Sequence, residues 1–143
     1  MIMPLVTFYT HITDIHRFVC RLLQTAYDKQ TPVAVRCASV AQAQTIDNAL
    51  WTFDHNSFLA HEFWAENQTI TAPIVLITPN EHAAQCPIAT VLNLSPTPCL
   101  EPNIQRVLEI IGADEHALSQ ARNRFRLYRD AGFQLEHHKI QAA

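Results

Sequence analysis

The sequence predicts a single α/β domain of three layers, a mostly parallel sheet flanked by helices. Three observations carry that prediction. Strand-like and helix-like segments alternate from Leu5 to Leu50, as parallel strands joined by crossover helices do. Ile74 to Thr78 reads IVLIT, the continuous apolar run of a strand covered on both faces. With 143 residues, 48% hydrophobic and 16% charged, the chain has the length of one ordinary domain and a composition that argues against disorder.

Taken in order, Leu5 to Tyr9 is short, apolar and partly β-branched or aromatic, and is the expected first strand. Thr13 or Asp14 offers an N-cap, and Ile15, Phe18, Val19, Leu22, Leu23 and Ala26 follow at helical spacing. Pro32 to Cys37 reads as a second strand. Ser39 with Gln42 forms a capping box, and Val40, Ala43, Ile46 and Leu50 give the next helix a buried side. Trp51 to Ala72 breaks the rhythm, gathering Trp51, Phe53, Phe58, Phe63 and Trp64 without clear periodicity. A connection this aromatic is either a satellite core or a patch shown to a partner.

Beyond the IVLIT strand, Thr90 to Leu94 is the next strand candidate, and Pro96, Pro98 and Pro102 mark the loop after it. Arg106 to Ile111 suits strand or helix, and Gly112 two residues before Asp114 favours strand, turn and capped helix. The helix from Asp114 to Ala131 ends at Gly132, a natural left-handed residue. Phe133 and Leu135 supply a last short strand. The domain is thus expected to span 1–135, with a polar, mobile tail over 136–143.

Several function classes lack their residues. Gly112 and Gly132 are the only glycines, so neither a G-x-G-x-x-G turn nor a phosphate-binding P-loop is present. Those motifs need glycine because a Cβ blocks close approach of the backbone to phosphate. The open α/β pattern still leaves a small enzyme with a nucleotide or sugar ligand as a rival reading. Asp14 with His11 or His16 near a strand end has acid/base chemistry, although polar residues in a first loop are far more often solvated than catalytic. Cys20, Cys37, Cys86 and Cys99 show no C-x-x-C spacing and read as reduced thiols. Of the eight histidines, His55 with His61 and His137 with His138 lack metal-site spacing, so no metal and no cofactor are expected. No apolar run approaches the ~18 residues of a membrane span, and the amino terminus lacks signal-peptide features. A cytoplasmic protein that does not touch membrane is expected. The net charge of -3 argues against wrapping duplex DNA.

One stretch stands against that acidity. Ala121 to Phe133 reads ARNRFRLYRDAGF and holds Arg122, Arg124, Arg126 and Arg129. On a helix, Leu118, Ala121, Phe125 and Tyr128 make one apolar stripe, and Arg122, Arg126 and Arg129 fall on another. Packing by one side while showing guanidinium forks on the other suits a planar, anionic partner. The plain alternative is arginines that solvate a helix and cover apolar area with their stems. Direct binding of single-stranded nucleic acid, with Phe125 stacking a base, is a further rival.

These residues carry a family likeness. Thr7-Phe8-Tyr9, Asp47-Asn48-Ala49-Leu50-Trp51, Ser57-Phe58 with His61, and Ala121-Arg122, Tyr128-Arg129 and Ala131-Gly132-Phe133 resemble the chi subunit of bacterial DNA polymerase III, nearly end to end. The resemblance implies a Rossmann-like domain without a nucleotide-binding loop. It also implies a non-catalytic adaptor of the clamp-loader assembly in DNA replication, meeting nucleic acid only indirectly. Such proteins join the psi subunit on one surface, where Trp51 and Phe58 match. On another they bind the acidic tail of single-stranded DNA-binding protein, which ends in phenylalanine with a free carboxylate. Arg122 matches the arginine that grips that carboxylate, and Phe125 and Ile111 match the residues around the ring. Arg126 and Arg129 would attract upstream aspartates. In some similar proteins the aromatic surface also serves a repair helicase. Three positions depart from the pattern: Leu118 stands where a lysine is common, Phe125 where a tyrosine is, and Ala60 where a proline is.

Overall fold

A computed structural model describes residues 3–52, 59–65, 69–79 and 85–140. In chain order its elements are β1 (Leu5–Ile12), α1 (Ile15–Asp28), β2 (Val33–Arg36), α2 (Val40–Thr52), β3 (His61–Phe63), β4 (Ile74–Ile77), β5 (Thr90–Asn93), β6 (Arg106–Gly112), α3 (Glu115–Asp130) and β7 (Gln134–Lys139). The strands form one sheet in the order β3-β4-β2-β5-β6-β1-β7. Every described pairing is parallel, so the mostly parallel sheet that was expected is parallel throughout.

Alternation along the strands builds the three layers. Val33 and Val35 of β2, with Ile74 and Leu76 of β4, join Val19, Leu23, Ala43, Ile46 and Leu50 in a core beneath α1 and α2. Ala34, Val75 and Ile77 face the other way, where Val6 and Phe8 of β1 meet Ala121 and Tyr128 of α3. A strand inside a parallel sheet is thus apolar on both sides, which is why IVLIT shows no polar alternation.

The helix starts follow their capping residues. The Asp14 carboxylate accepts from the Arg17 amide at 3.1 Å to open α1. Ser39 Oγ accepts from the Gln42 amide at 3.0 Å, while the Gln42 side chain reaches back to the Ala38 amide at 2.7 Å, one residue before its partner in a standard capping box.

Two expectations are corrected by the sheet. β7 runs to Lys139, so Glu136–Lys139 are not a free tail; each pairs with β1, from Thr7 to Thr10. Polarity misled because β7 is an edge strand, where charged and polar side chains are the norm. Residues 141–143 lie outside the described residues. The aromatic connection contains a strand, β3, that aperiodicity hid. Trp64 after it is buried in the core, whereas Phe63 is exposed. Phe53 and Phe58 lie outside the described residues.

Candidate functional site

The last helix is fixed at both ends. Asp114 caps its start, accepting from the Ala117 amide at 2.8 Å. At its end the Gly132 amide bonds the Arg129 carbonyl and the Phe133 amide bonds the Tyr128 carbonyl, each at 3.1 Å. This paired closure needs a left-handed residue, and Gly132 supplies it at φ 91°. The rings of Phe133 and Tyr128, 5.0 Å apart, complete the motif.

A buried polar network sets how α3 sits on the sheet. Glu109, on β6 and wholly buried, accepts from Arg124 Nε at 3.1 Å, from Asn93 Nδ2 at 2.8 Å and from the Tyr128 hydroxyl at 2.7 Å. The Tyr128 oxygen in turn accepts from the Cys99 amide at 2.9 Å. Burial pushes the Glu109 carboxyl up despite the Arg124 charge beside it, and pushes the Tyr128 hydroxyl far up. One of the four clustered arginines is thus an internal strut. The sequence signal for its partner was a single charge, Glu109, inside the otherwise apolar segment VLEII.

The other three arginines face outwards over a groove of about 430 Å³. Arg122, Arg126 and Arg129 line it with Leu118, Ala121 and Phe125 from α3, Phe8, Thr10 and His11 from β1, and His137 from β7. Its apolar floor is an aromatic pair, Phe8 and Phe125, with ring centres 5.5 Å apart. Arg126 leans on Asn123 at 3.1 Å and Arg129 on Asp130 at 3.3 Å, both at the exposed surface. Arg122 is exposed and has no hydrogen-bond or ion-pair partner among the described residues. The site can therefore offer a guanidinium fork beside an apolar hollow, with further positive charge along one rim.

Ile111, expected with Phe125 around a ligand ring, is not in the groove. It is 2% exposed and lines a separate concavity with Gly112, Ala117 and Arg124. The strand order gives the reason: β1, β7 and α3 wall the groove at the edge of the sheet, and β6 lies on the inner side of β1. Leu118 and Ala121 line the groove beside Phe125. Thr10, His11 and His137 were not foreseen as lining residues.

The other proposed surface lies near the opposite edge of the sheet. Trp51, in the last turn of α2, has half its surface exposed, its ring centre 4.6 Å from that of His61. His61 Nε2 is 2.6 Å from the Asp47 carboxylate and its Nδ1 is 2.7 Å from the Leu59 carbonyl oxygen. Asp47 and His61, separate pieces of the sequence motif, are thus one contact supporting Trp51. Phe58, named with Trp51, lies outside the described residues.

At the carboxyl ends of β2, β4 and β5, where α/β folds commonly take ligands, a concavity is lined by Arg36, Cys37, Thr78, Ser95 and Thr97. Arg36 is paired there with Glu101 at 2.7 Å. Among the described residues no group of three His, Cys, Asp or Glu could hold a metal, and no helix is long and apolar enough to cross a membrane.

Residues 3–136 match the family model described as DNA polymerase III chi subunit, HolC. A Pseudomonas aeruginosa protein named DNA polymerase III subunit chi is 31% identical over 122 residues, 85% of this chain and 83% of that protein. Proteins of the same name from Haemophilus influenzae and Escherichia coli are 24% and 22% identical, over 85% and 87% of this chain and 84% of each relative. A parallel α/β sheet without a glycine-rich loop, closed by an arginine-lined last helix, is accordingly the form taken here by a member of the DNA polymerase III chi subunit family.

Proposed function

We propose that this chain is a non-catalytic adaptor of the polymerase III clamp-loader assembly, coupling the psi subunit to the acidic tail of single-stranded DNA-binding protein. The observation that carries the reading is Arg122, exposed and unpaired among the described residues, beside the hollow floored by Phe8 and Phe125. A peptide ending in phenylalanine brings the two complementary groups at once: a terminal carboxylate for the guanidinium fork and a ring for the hollow. Arg126 and Arg129 then attract aspartates upstream, a contact weakened by salt. Leu118 enlarges the apolar wall at the cost of one cation, and Phe125 keeps the ring without a hydroxyl. Psi docks at the other edge, on the surface that Trp51 shows, and Phe58 is the second residue assigned to that contact from the sequence.

Fluorescence anisotropy with a labelled acidic peptide ending in phenylalanine tests the groove. Arg122→Ala weakens binding by about 2–3 kcal/mol, some 30- to 150-fold, the loss expected for a charge-assisted pair. Amidating the peptide's C-terminus produces a similar loss, and combining the two changes adds little. Equal affinity for the amidated and free peptides defeats the assignment.

A further inference from the structure

Thr10, His11 and His137 line the groove, yet the terminal carboxylate and ring leave them unused. Strict strand alternation puts Thr10 and His11 on opposite faces. Both line the groove because the β1–β6 register slips between Tyr9 and Ile12, and because His11 adopts a left-handed backbone at φ 64°. That conformation is unfavourable for a residue with a Cβ, and such outliers concentrate where ligands are clamped.

The Thr10 side chain, only 6% exposed as a residue, joins the two rings. Its Oγ lies 2.7 Å from His137 Nε2 and 2.8 Å from His11 Nδ1. A hydroxyl carries one proton, so between two neutral imidazoles it donates to one ring and accepts from the other. Adding a proton to the accepting ring turns both rings into donors toward Oγ. The hydroxyl proton must then find a new acceptor, and an incoming carboxylate oxygen is one. Positive charge and a free donor thus arise together.

The surrounding charges favour an anion as that acceptor. Arg122, Arg126 and Arg129 line the groove from α3, and no carboxylate lines it among the described residues. On β7, Glu136 is engaged by the Thr7 hydroxyl at 3.3 Å and by His138 at 3.2 Å, and Lys139 is level with Thr10 in the register. Asp130 is held by Arg129. Asp14 caps α1.

We propose that Thr10, His11 and His137 form a second anion-binding element, facing the arginines, that takes an aspartate side-chain carboxylate of an acidic peptide with uptake of one proton from solvent. The proposal rests on reading the groove as the acidic-tail site. It assigns the β1 and β7 side of the groove to one aspartate upstream of the terminal phenylalanine, leaves the other aspartates to Arg126 and Arg129, and makes binding tighter as pH falls.

The test is anisotropy with an aspartate-containing peptide ending in phenylalanine, at constant ionic strength, at about pH 8 and about pH 6, where its carboxylates stay ionised. The wild-type chain binds about tenfold more tightly at the lower pH, the gain of one partly exposed charge-assisted contact. Combining His11→Asn with His137→Gln reduces that ratio to less than about twofold, whereas Arg122→Ala weakens binding at both values and keeps the ratio. An undiminished ratio in the double variant overturns the histidine element and leaves the tail reading standing. No binding by the wild-type chain at either pH overturns both. Should the double variant fail to fold, imidazole nitrogen resonances of the wild-type chain decide: peptide shifts His11 and His137 and spares His16. Unmoved His11 and His137 signals overturn the proposal.

Discussion

Replacing Tyr128 with Phe removes one oxygen atom and tests how α3 is held to the sheet. That oxygen donates to Glu109 at 2.7 Å and accepts from the Cys99 amide at 2.9 Å, and both partners are wholly buried. The substitution forfeits a hydrogen bond to a buried carboxyl and leaves a buried amide proton unpartnered. Each costs about 1–3 kcal/mol, and because they share one site the combined loss is about 3 kcal/mol. No cavity of consequence opens, since the ring keeps its contacts with Phe8 and Phe133. For a domain of 143 residues, about 2.1 cal/mol/K of unfolding entropy per residue converts this to a fall of about 10 °C in Tm. Urea denaturation followed by far-ultraviolet circular dichroism measures the same loss as a lower midpoint at unchanged slope. A loss under about 1 kcal/mol would refute the reasoning, because the hydroxyl would then be replaceable by solvent or by a shift of the helix.

Two further predictions concern other parts of the molecule. Burial lifts the Cys20 thiol to about 11, with a smaller push from Asp14, and burial lifts Cys37 and Cys99 to about 12. The native state therefore keeps protons that the unfolded chain releases from the ordinary thiol value of 9.0 upward. Their stabilisation is complete below that value, and stability falls as pH rises from 9 to 11, by up to about 1.4 kcal/mol per pH unit for each retained proton. Cys37→Ala makes that fall shallower, and a thiol reagent at pH 8 labels none of the four buried cysteines before unfolding. Trp51→Ala abolishes copurification with psi while leaving affinity for the acidic peptide within about twofold, since α2 and the groove serve opposite edges of the sheet. Joint loss of both activities shows that the surfaces are not separate.

Sequence alone determined what depends on local spacing and on residue type. The 3.6-residue period of Ile15 to Ala26, the Asp14 and Asp114 caps and the left-handed stop at Gly132 are properties of a few neighbouring residues. The scarcity of glycine ruled out phosphate loops for the same kind of reason. Which arginine faces solvent is not local. Helical spacing sorts Arg122, Arg126 and Arg129 from Arg124, but only the sheet beneath decides which stripe is covered, and there Glu109 draws Arg124 inside. The strand order, a product of crossovers between distant segments, put Ile111 on the inner side of β1, facing a separate concavity, and held Glu136–Lys139 on the edge of β1. A one-residue register slip brought Thr10 and His11 onto one face. Such slips arise from pairing between strands about a hundred residues apart in the chain, where no pattern within either strand records them.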